Sequence, residues 1–221
     1  MSRGPFASLN VGTRTGDDKA CLATNLTRLG DATGVAFERA ARIRLMHGTR
    51  VVEATGPGLQ GEADGLWTRQ VALPLALTVA DCLPLALATP HGAVALIHCG
   101  WRGLAAGIAG EAVAALAAAT ASQPGSLWAW IGPGIGACCF AVGPDVAECF
   151  PAEVRRRPEP GAAVHVDLAA FLRGNLLAAG LLPGGVQVSG LCTACEADLF
   201  FSHRRDGAAT GRLLAWIERT E

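Results

Sequence analysis

The sequence predicts a layered α/β (α+β) fold in which a mixed β-sheet core is flanked by helices, in a single domain spanning residues 1–221. Nearly continuous apolar runs occupy the middle of the chain, as in strands buried on both faces. Helical and strand patterns follow one another without strict alternation, which disfavours a doubly wound parallel sheet. No repeat or long polar linker divides the 221 residues, of which 51% are hydrophobic and 17% charged. A single core in such a chain buries most of the surface that the unfolded chain exposes.

The first half of the chain predicts one helix followed by five strands. The helix is expected over Asn25–Ala41, although Gly30 and Gly34 weaken the pattern. The strands are expected in "GTRVVEAT" after His47, in Ala63–Thr68, and in the apolar runs Leu75–Ala80, Leu83–Ala88 and Ala93–His98. Turn residues in "TPHG" join the last two runs into a hairpin.

The second half predicts two helices and three strands. One helix runs from Gly103 to about Thr120. The other lies in "HVDLAAFLRGNLLAAG", where Asp167 is the expected N-cap and Gly180 the stop. The strands are "SLWAWIG", "GVQVSGL" and "GRLLAWIE", and the first of them ends in the tight turn "GPGIG". The basic run "RRRP" at residues 155–158 is interpreted as a solvated loop.

Charge and hydropathy exclude several classes of partner. The net charge is −1, so the broad basic surface of a nucleic-acid-binding protein is not expected. The most apolar window, residues 71–89, is interrupted by Pro74, Asp81 and Pro84 and is a poor membrane span. The N-terminus has no apolar region typical of a secretory signal. With eight cysteines and no signal, the default expectation is a reducing compartment and a cytoplasmic location.

The predicted hairpin carries a cysteine at one outer end and a histidine at the other. With a loop at Thr89–His91, Cys82 faces His98 directly, with the Cβ atoms about 4.5–5.5 Å apart. That separation is compatible with a zinc ion held by a thiolate and an imidazole. It is equally compatible with a Cys–His nucleophile pair, or with a buried cysteine beside a hydrogen-bonded histidine. The spacing leaves all three interpretations open.

His47, at the start of "HGTRVV", is a third candidate ligand. A lone histidine is more often structural than metal-binding. With Cys82 and His98 it would complete a set of three ligands, and three protein ligands plus water is the open pattern of catalytic zinc sites.

Two further cysteine motifs remain without an assigned role. Cys192 and Cys195 form "CTAC", a spacing found in redox and metal sites. A closed site of four thiolates would need two more ligands, and Cys138 and Cys139 supply them only if the fold happens to bring the segments together. Packing is the default interpretation of these four residues.

Nearly the whole chain is covered by an ordered series of motifs: "SLNVG" with "GDD", "MHGTRVV", "EADGLWT", "TVADCLPL", "IHCGWRGLAAG", "IGPGIGACCFAVG", "LCTACEADLFFSHRRDG" and "TGR". In this combination they resemble the YfiH-like laccase-domain family, also called multicopper polyphenol oxidases. The resemblance implies a mixed α/β fold similar to the catalytic domain of cytotoxic necrotizing factor toxins. It also implies one Zn²⁺ per chain, bound by His47, Cys82 and His98.

The same resemblance implies a purine nucleoside enzyme that takes small-molecule nucleosides and phosphate. Family members are described as phosphorylases of adenosine, inosine and methylthioadenosine, and as adenosine deaminases. One alternative is a copper-dependent polyphenol oxidase, although the five histidines are few for a multicopper set. Another is a Cys–His hydrolase with Cys82 as nucleophile, or a factor that edits peptidoglycan precursors.

Other candidate residues follow from the chemistry of these reactions. Arg102, four residues after His98, is the first candidate for phosphate binding, because a guanidinium matches phosphate geometry. Asp81 and Asp64 are candidates for proton transfer. Trp101 is a candidate for stacking on a purine, and Arg204 and Arg205 are weaker candidates for binding phosphate.

The chain departs from the family pattern at several positions. The usual N-terminal loop is reduced to "MSRG", so Arg3 is expected at an altered pocket rim. Leu45, Cys99 and His203 replace a frequent Gln, Ala and Tyr. None of these is a proposed ligand, but His203 is a candidate for substrate binding.

Overall fold

The computed structural model describes residues 1–220; Glu221, the last residue of the predicted domain, lies outside the described residues. Its strands are β1 Ala41–Arg44, β2 Val51–Glu53, β3 Gly58–Glu62, β4 Gly65–Thr68, β5 Leu75–Val79, β6 Leu83–Ala88, β7 Val94–Cys99, β8 Trp128–Ile131, β9 Ala141–Val142, β10 Arg155–Arg156, β11 Val164–Val166, β12 Val186–Val188 and β13 Leu213–Ile217. Its α-helices are α1 Lys19–Thr33, α2 Trp101–Ala105, α3 Ile108–Thr120, α4 Pro144–Ala147, α5 Leu168–Ala178 and α6 His203–Asp206.

The strands form three sheets. The largest has the order β12-β8-β6-β7-β4-β2, the second β13-β5-β1-β3, and the smallest β10-β11-β9. Parallel and antiparallel pairs occur together in the two larger sheets. The prediction of a mixed-sheet α/β fold flanked by helices is therefore confirmed.

The central strand β7 contacts protein layers on both faces of the large sheet, and every one of its residues is buried. Ala95, Ile97 and Cys99 belong to the core that α2, α3 and α5 form on one face of the large sheet. Val94 and Leu96 belong to a second core, shared with the four-stranded sheet on the other face. Side chains alternate between the faces of a strand, so His98 projects on the side of the four-stranded sheet.

The hairpin prediction is right in topology and wrong in register. β6 and β7 are antiparallel, but Pro84, and not Cys82, is the partner of His98. The loop consists of Pro90–Gly92, since Ala88 pairs with Val94 at the end of the ladder. Its last residue, Gly92, has a positive φ of 74°, which glycine adopts without strain. The register is therefore shifted by two residues, and a shift of two leaves Cys82 on the same face as His98.

Several predicted elements differ from the observed ones. The first helix begins at Lys19, capped by Asp18, and ends at Gly34, which has a positive φ of 74°. The helix predicted from Gly103 is two helices separated by Gly107, which also has a positive φ. Part of the expected loop "RRRP" is the exposed strand β10. Asp167 caps α5 as predicted.

Five short strands have no counterpart in the sequence-based prediction: β1, β3, β9, β10 and β11. The sequences of β1 and β3, "ARIR" and "GLQGE", contain no run of apolar residues, and several of their charged or small residues are exposed. The apolar runs that predict the central strands are therefore absent from these two. Within residues 1–220, no helix combines the length and apolar character needed to cross a membrane.

Candidate metal centre

Three side chains from different parts of the chain converge at one end of the large sheet. His47 lies in the segment between β1 and β2, Cys82 immediately precedes β6, and His98 lies in β7. One ligand atom from each lies within 4.8 Å of the other two. The imidazole rings of His47 and His98 meet edge to face, with centroids 5.1 Å apart. The structure thus brings together all three residues of the sequence-predicted ligand set.

The side chain of Asp64 forms hydrogen bonds that hold this site in place, and only 1% of the residue is exposed. One carboxylate oxygen accepts hydrogen bonds from Nδ1 of His98 at 3.0 Å and from the His47 backbone N–H at 2.9 Å. The other accepts from the backbone N–H groups of Gly48 at 2.7 Å and Met46 at 3.2 Å. A single buried carboxylate therefore fixes both the turn that carries His47 and the ring orientation of His98.

The hydrogen bond to Asp64 leaves Nε2 of His98 as the ring nitrogen free for a ligand. Burial alone would lower the pKa of His98, but hydrogen bonds with Asp64 and Cys82 raise it to about 9. Burial would raise the pKa of Asp64, but its hydrogen bonds from His98, Gly48 and His47 lower it instead. Burial and the charge of His98 lower the pKa of His47. Because a metal ligand must be deprotonated, binding at His98 has to displace a proton.

Backbone strain is concentrated at the same place. His47 has φ of 60° and Asp81, directly before Cys82, has φ of 81°, a region that residues other than glycine rarely adopt. Such conformations persist where surrounding contacts over-determine them. At His47 those contacts are the three N–H groups bonded to Asp64. The two strained residues are therefore His47 itself and the residue directly before Cys82, and their conformations help to orient these two candidate ligands.

Glycines of "GWRG" create the space and the close approach that the site needs. A Cβ atom on Gly100 would lie 3.3 Å from Sγ of Cys82, 3.3 Å from Cε1 of His98 and 3.5 Å from Cδ2 of His47. A Cβ on Gly103 would lie 2.8 Å from the carbonyl oxygen of Gly48. Gly100 therefore leaves an open space between the three side chains, which we call the glycine cradle. Gly103 lets α2 approach the turn that carries His47.

The donor set fits a metal ion. Two imidazoles and one thiolate are ligands that zinc and copper both accept. The Asp64–His98 hydrogen bond is the type of outer contact that orients metal-binding histidines. Of the five histidines, only His47 and His98 belong to a cluster of candidate ligands among residues 1–220. This small number fits a single ion and not a multicopper set.

The structure places Asp81 in a different environment from Asp64. Its carboxylate accepts a hydrogen bond from the Thr193 hydroxyl at 2.6 Å and another from the Arg204 backbone N–H at 2.6 Å. Its carbonyl oxygen accepts a hydrogen bond from the Ile135 N–H at 2.8 Å. Asp81 therefore connects the loop before Cys82 to three distant segments.

The remaining candidate residues lie at or near the surface. Arg102 is exposed, and its guanidinium stacks over the ring of Trp101 at 4.4 Å. Trp101 itself packs against the main core. Arg3 is exposed at the N-terminus, and His203 is exposed at the start of α6, one residue before the N–H that bonds Asp81.

A cavity of about 890 Å³ lies apart from these residues. The N-terminal segment, β13 and the loop before α6 bound it, and its lining is mostly apolar. His47, Cys82 and His98 do not line this cavity. Its Arg205 and Asp206 are paired with each other at 2.7 Å. The cavity is therefore lined by none of the three candidate ligands, and Arg205, a weaker candidate for binding phosphate, lies there paired with Asp206.

Sequence reasoning missed the orienting role of Asp64 and the space left by Gly100. Asp64 was considered only as a proton carrier. Its role depends on the antiparallel pairing of β4 with β7, in which Gly65 faces Ile97. That register places Asp64 beside His98, and no local pattern in the sequence specifies it.

Comparison with known proteins identifies relatives over nearly the whole chain. A model of the family described as multi-copper polyphenol oxidoreductase laccase matches residues 1–220. The purine nucleoside phosphorylase YlmD of Geobacillus stearothermophilus is 40% identical over 238 residues, covering 100% of this chain and 86% of that protein. A purine nucleoside phosphorylase of Deinococcus radiodurans is 39% identical, covering 98% and 84%. The crystal structure of the Geobacillus protein superimposes with a TM-score of 0.93 at 38% identity, covering 100% of this chain and 88% of that chain.

Proposed function

The chain belongs to the multi-copper polyphenol oxidoreductase laccase family, and on this premise we propose that it is a zinc-dependent purine nucleoside phosphorylase. The proposed substrates are adenosine, inosine and methylthioadenosine with inorganic phosphate, and the proposed second activity is deamination of adenosine. The relatives named purine nucleoside phosphorylase support this proposal. The observation that carries it is the cluster of His47, Cys82 and His98, oriented by Asp64 and open at Gly100.

The cluster would hold one zinc ion through the Cys82 thiolate and one nitrogen of each histidine. When bound at an open site of three protein ligands, such an ion activates water and polarises substrate oxygen and nitrogen atoms. Asp64 keeps the proton on Nδ1 of His98 and so presents Nε2 toward the ion. Because Asp64 is buried and fully engaged in hydrogen bonds, we assign it a positioning role.

Phosphorolysis joins a phosphate oxygen to C1′ of the ribose and breaks the bond from C1′ to the purine nitrogen. The products are ribose 1-phosphate and the free base, which takes up a proton. Arg102 is the proposed phosphate-binding residue, because it lies four residues after His98 in the first turn of α2 and its exposed guanidinium presents several N–H donors. Arg3 and His203 are proposed to contact the substrate, and Asp81 to assist proton transfer. We also propose a cytoplasmic location.

The proposal is tested by measuring products from each nucleoside with and without phosphate. We expect base and ribose 1-phosphate only when phosphate is present, and inosine from adenosine under either condition. Arg102→Ala is expected to raise the KM for phosphate roughly tenfold or more, as loss of a charge-assisted hydrogen bond predicts. Exposed Arg28 of α1 is the matched control, and Arg28→Ala should leave KM unchanged. Equal KM values for the two variants would remove Arg102 from the proposal.

A Cys–His hydrolase is the second candidate, and a specific arrangement favours it. The Asp64 carboxylate bonds Nδ1 of His98, and a ring nitrogen of His98 lies within 4.8 Å of the Cys82 thiol, which resembles the order of acid, base and nucleophile in a catalytic triad. His47 has no part in such a triad. His47→Ala therefore separates the two functions, because it should abolish a metal-dependent reaction and spare a thiol-dependent one. Alkylation of Cys82 that blocks hydrolysis of an amide substrate in the metal-free protein would favour the hydrolase.

Copper-dependent phenol oxidation is the third candidate, favoured by the description of the family and by a donor set that copper also accepts. Elemental analysis decides between the metals. About one zinc and no copper at the three-residue site would support the phosphorylase. A copper-containing protein that oxidises phenols would support the oxidase.

A further inference from the structure

A second group of sulfur atoms lies outside the candidate metal centre. Cys138 and Cys139 follow the turn "GPGIG", and Cys192 and Cys195 lie in the loop after β12. The two segments are more than fifty residues apart in sequence, yet the four Sγ atoms all lie within 4.8 Å of one another. Cys195 is 3.5 Å from both Cys138 and Cys139. All four are free thiols.

These separations match one tetrahedron of sulfur atoms. Zinc binds thiolates at about 2.3 Å, which places the sulfurs of a tetrahedral site about 3.8 Å apart. A disulfide would instead bring two sulfurs to about 2.0 Å. A cluster of several iron atoms binds its cysteines on separate metal atoms and spreads the sulfurs more widely than a single ion does. The geometry thus favours a single ion over either alternative.

We propose that Cys138, Cys139, Cys192 and Cys195 form a closed structural zinc site, separate from His47, Cys82 and His98. Four protein ligands leave no open position, which is the pattern of structural and not catalytic zinc. The site would bind the metal ion itself and no substrate. Cys138 and Cys139 lie in a tight turn in which the Cys139 and Phe140 N–H groups both donate to the Gly136 carbonyl oxygen, and both thiols belong to the cluster.

The surrounding backbone is arranged for thiolate ligands. The Gly136 N–H donates to Sγ of Cys192 at 3.2 Å. A Cβ atom on Gly136 would lie 3.1 Å from Sγ of Cys138 and 3.2 Å from Cβ of Cys192. Glycine at 136 therefore lets the backbone approach the sulfur cluster closely enough to donate this bond.

Positive charge lies beside the cluster. Four thiolates around one divalent cation carry a net negative charge, which nearby cations stabilise. The Arg204 guanidinium donates to the carbonyl oxygens of Cys139 at 3.1 Å and Ala141 at 2.7 Å. The Arg205 guanidinium donates to the carbonyl oxygen of Thr193 at 3.0 Å, although its charge is shared with Asp206. Both side chains bind the segments that supply the cysteines.

The four-cysteine site would hold the loop of Cys138 and Cys139 and the loop of Cys192 and Cys195 in fixed positions next to the candidate metal centre. Gly134 pairs with Cys192 in an isolated parallel bridge, and the Thr193 N–H donates to the Gly134 carbonyl oxygen at 3.0 Å. The Thr193 hydroxyl then bonds Asp81, the residue before Cys82. A zinc ion at the four cysteines would thus fix the loops that hold Asp81 in its strained conformation.

The test is zinc content by elemental analysis of protein purified under reducing conditions without added metal. Wild type is compared with Cys195→Ser, Cys138→Ser and the matched control Cys149→Ser. Cys149 is also exposed, but its thiol donates to the Asp145 carbonyl oxygen outside the cluster. We expect Cys195→Ser and Cys138→Ser each to contain one zinc per chain fewer than wild type, and Cys149→Ser to match wild type.

Equal zinc content in wild type and Cys195→Ser would overturn the proposal, as would a Cys192–Cys195 disulfide found by mass spectrometry of the wild type. If the serine variants do not fold, cobalt(II) substitution of the wild type replaces them. We then expect intense thiolate-to-cobalt absorption, of which Cys82→Ser loses only the smaller part contributed by its single thiolate and retains the part from the four cysteines. Absorption that disappears in Cys82→Ser would assign the metal to the other site and contradict the proposal.

The outcome is independent of the proposed enzymatic activity. Cys82→Ser should lose nucleoside cleavage and the metal at His47 and His98, while it retains the zinc of the four cysteines. If the wild type cleaves no nucleoside, the difference in zinc between wild type and Cys195→Ser still decides whether the four-cysteine site exists.

Discussion

The two sulfur-containing clusters differ in the number of ligands, their kind and their support. The His47–Cys82–His98 centre has three donors of two kinds, a buried carboxylate beneath it and a glycine cradle beside it. The four-cysteine cluster has four identical donors near the surface, supported by backbone N–H groups. Three ligands leave a position for substrate or water, whereas four close the coordination sphere. On the proposals above, the first cluster carries out the reaction and the second holds two loops together.

Removal of a ligand from the open centre should have the largest effect. His98→Gln should lower the rate of phosphorolysis on the order of 10³-fold or more, because enzymatic rate enhancements are typically 10⁶-fold or larger and the metal supplies much of the chemistry. Cys195→Ser is the control from the other cluster. The measurement is the initial rate of base release at saturating phosphate. A rate within a few fold of wild type in His98→Gln would remove the distinction between the two clusters.

Asp64→Asn tests the buried support of the open centre. The amide nitrogen cannot accept the hydrogen bonds that one carboxylate oxygen now receives, so backbone N–H groups lose their partners. We expect a 10- to 100-fold loss of metal affinity, as for other outer partners of metal-binding histidines. Each buried N–H left unpaired costs about 1–3 kcal/mol of stability.

The matched control for this carboxylate is Asp18, which caps α1 at the surface. Asn caps helices about as well as Asp, so Asp18→Asn should leave stability and metal affinity unchanged. Metal titration against a competing chelator and thermal unfolding measure both quantities. If Asp64→Asn behaves like Asp18→Asn, the orienting role of Asp64 is refuted.

Gly100→Ala tests whether the cradle is needed. Its backbone has an ordinary negative φ, so alanine adds bulk without strain. The added Cβ would meet Cys82 and His98 at 3.3 Å, and we expect metal affinity to fall roughly tenfold, at the lower end of the losses that changes beside a metal ligand cause. Gly110→Ala, inside α3 and with no atom within 4 Å of the added Cβ, is the control. It should leave affinity unchanged and stabilise the helix by about 1 kcal/mol.

The smallest effect on catalysis is expected at the four-cysteine cluster. Cys195→Ser should change the rate of phosphorolysis by less than a few fold, because no cysteine of this cluster contacts the reacting groups. Its effect is expected on stability. A site that is 100-fold saturated contributes about 2.7 kcal/mol, or roughly 5–10 °C in Tm for a chain of this size. Thermal unfolding with and without a chelator measures it, and an unchanged Tm would contradict a structural metal.

The hairpin could be predicted from local patterns, because turn residues join two apolar runs, whereas the three candidate ligands were predicted as a set only through the resemblance of their motifs to a known family. The hairpin register was predicted wrongly because the positive φ of the loop was not assigned to Gly92. A type I turn followed by a left-handed glycine is a common three-residue hairpin loop, so "PHG" contained the signal. Gly34 was similarly placed inside a helix that it terminates.

Features built from distant segments could not be predicted. The four-cysteine cluster depends on the bridge between Gly134 and Cys192, and the role of Asp64 depends on the pairing of β4 with β7. Both are tertiary contacts that no periodicity or spacing encodes. From local sequence alone, these four cysteines are therefore best interpreted as side chains packed in the protein interior.

The most direct test of the central claim is the rate of phosphate-dependent hypoxanthine release from inosine by protein stripped of metal with a chelator. The rate is measured before and after one equivalent of zinc is returned, with His47→Ala treated in parallel. We predict that the stripped wild type is inactive, that zinc restores its activity, and that His47→Ala remains inactive throughout. A stripped wild type that retains its full rate would contradict a metal-dependent centre at His47, Cys82 and His98.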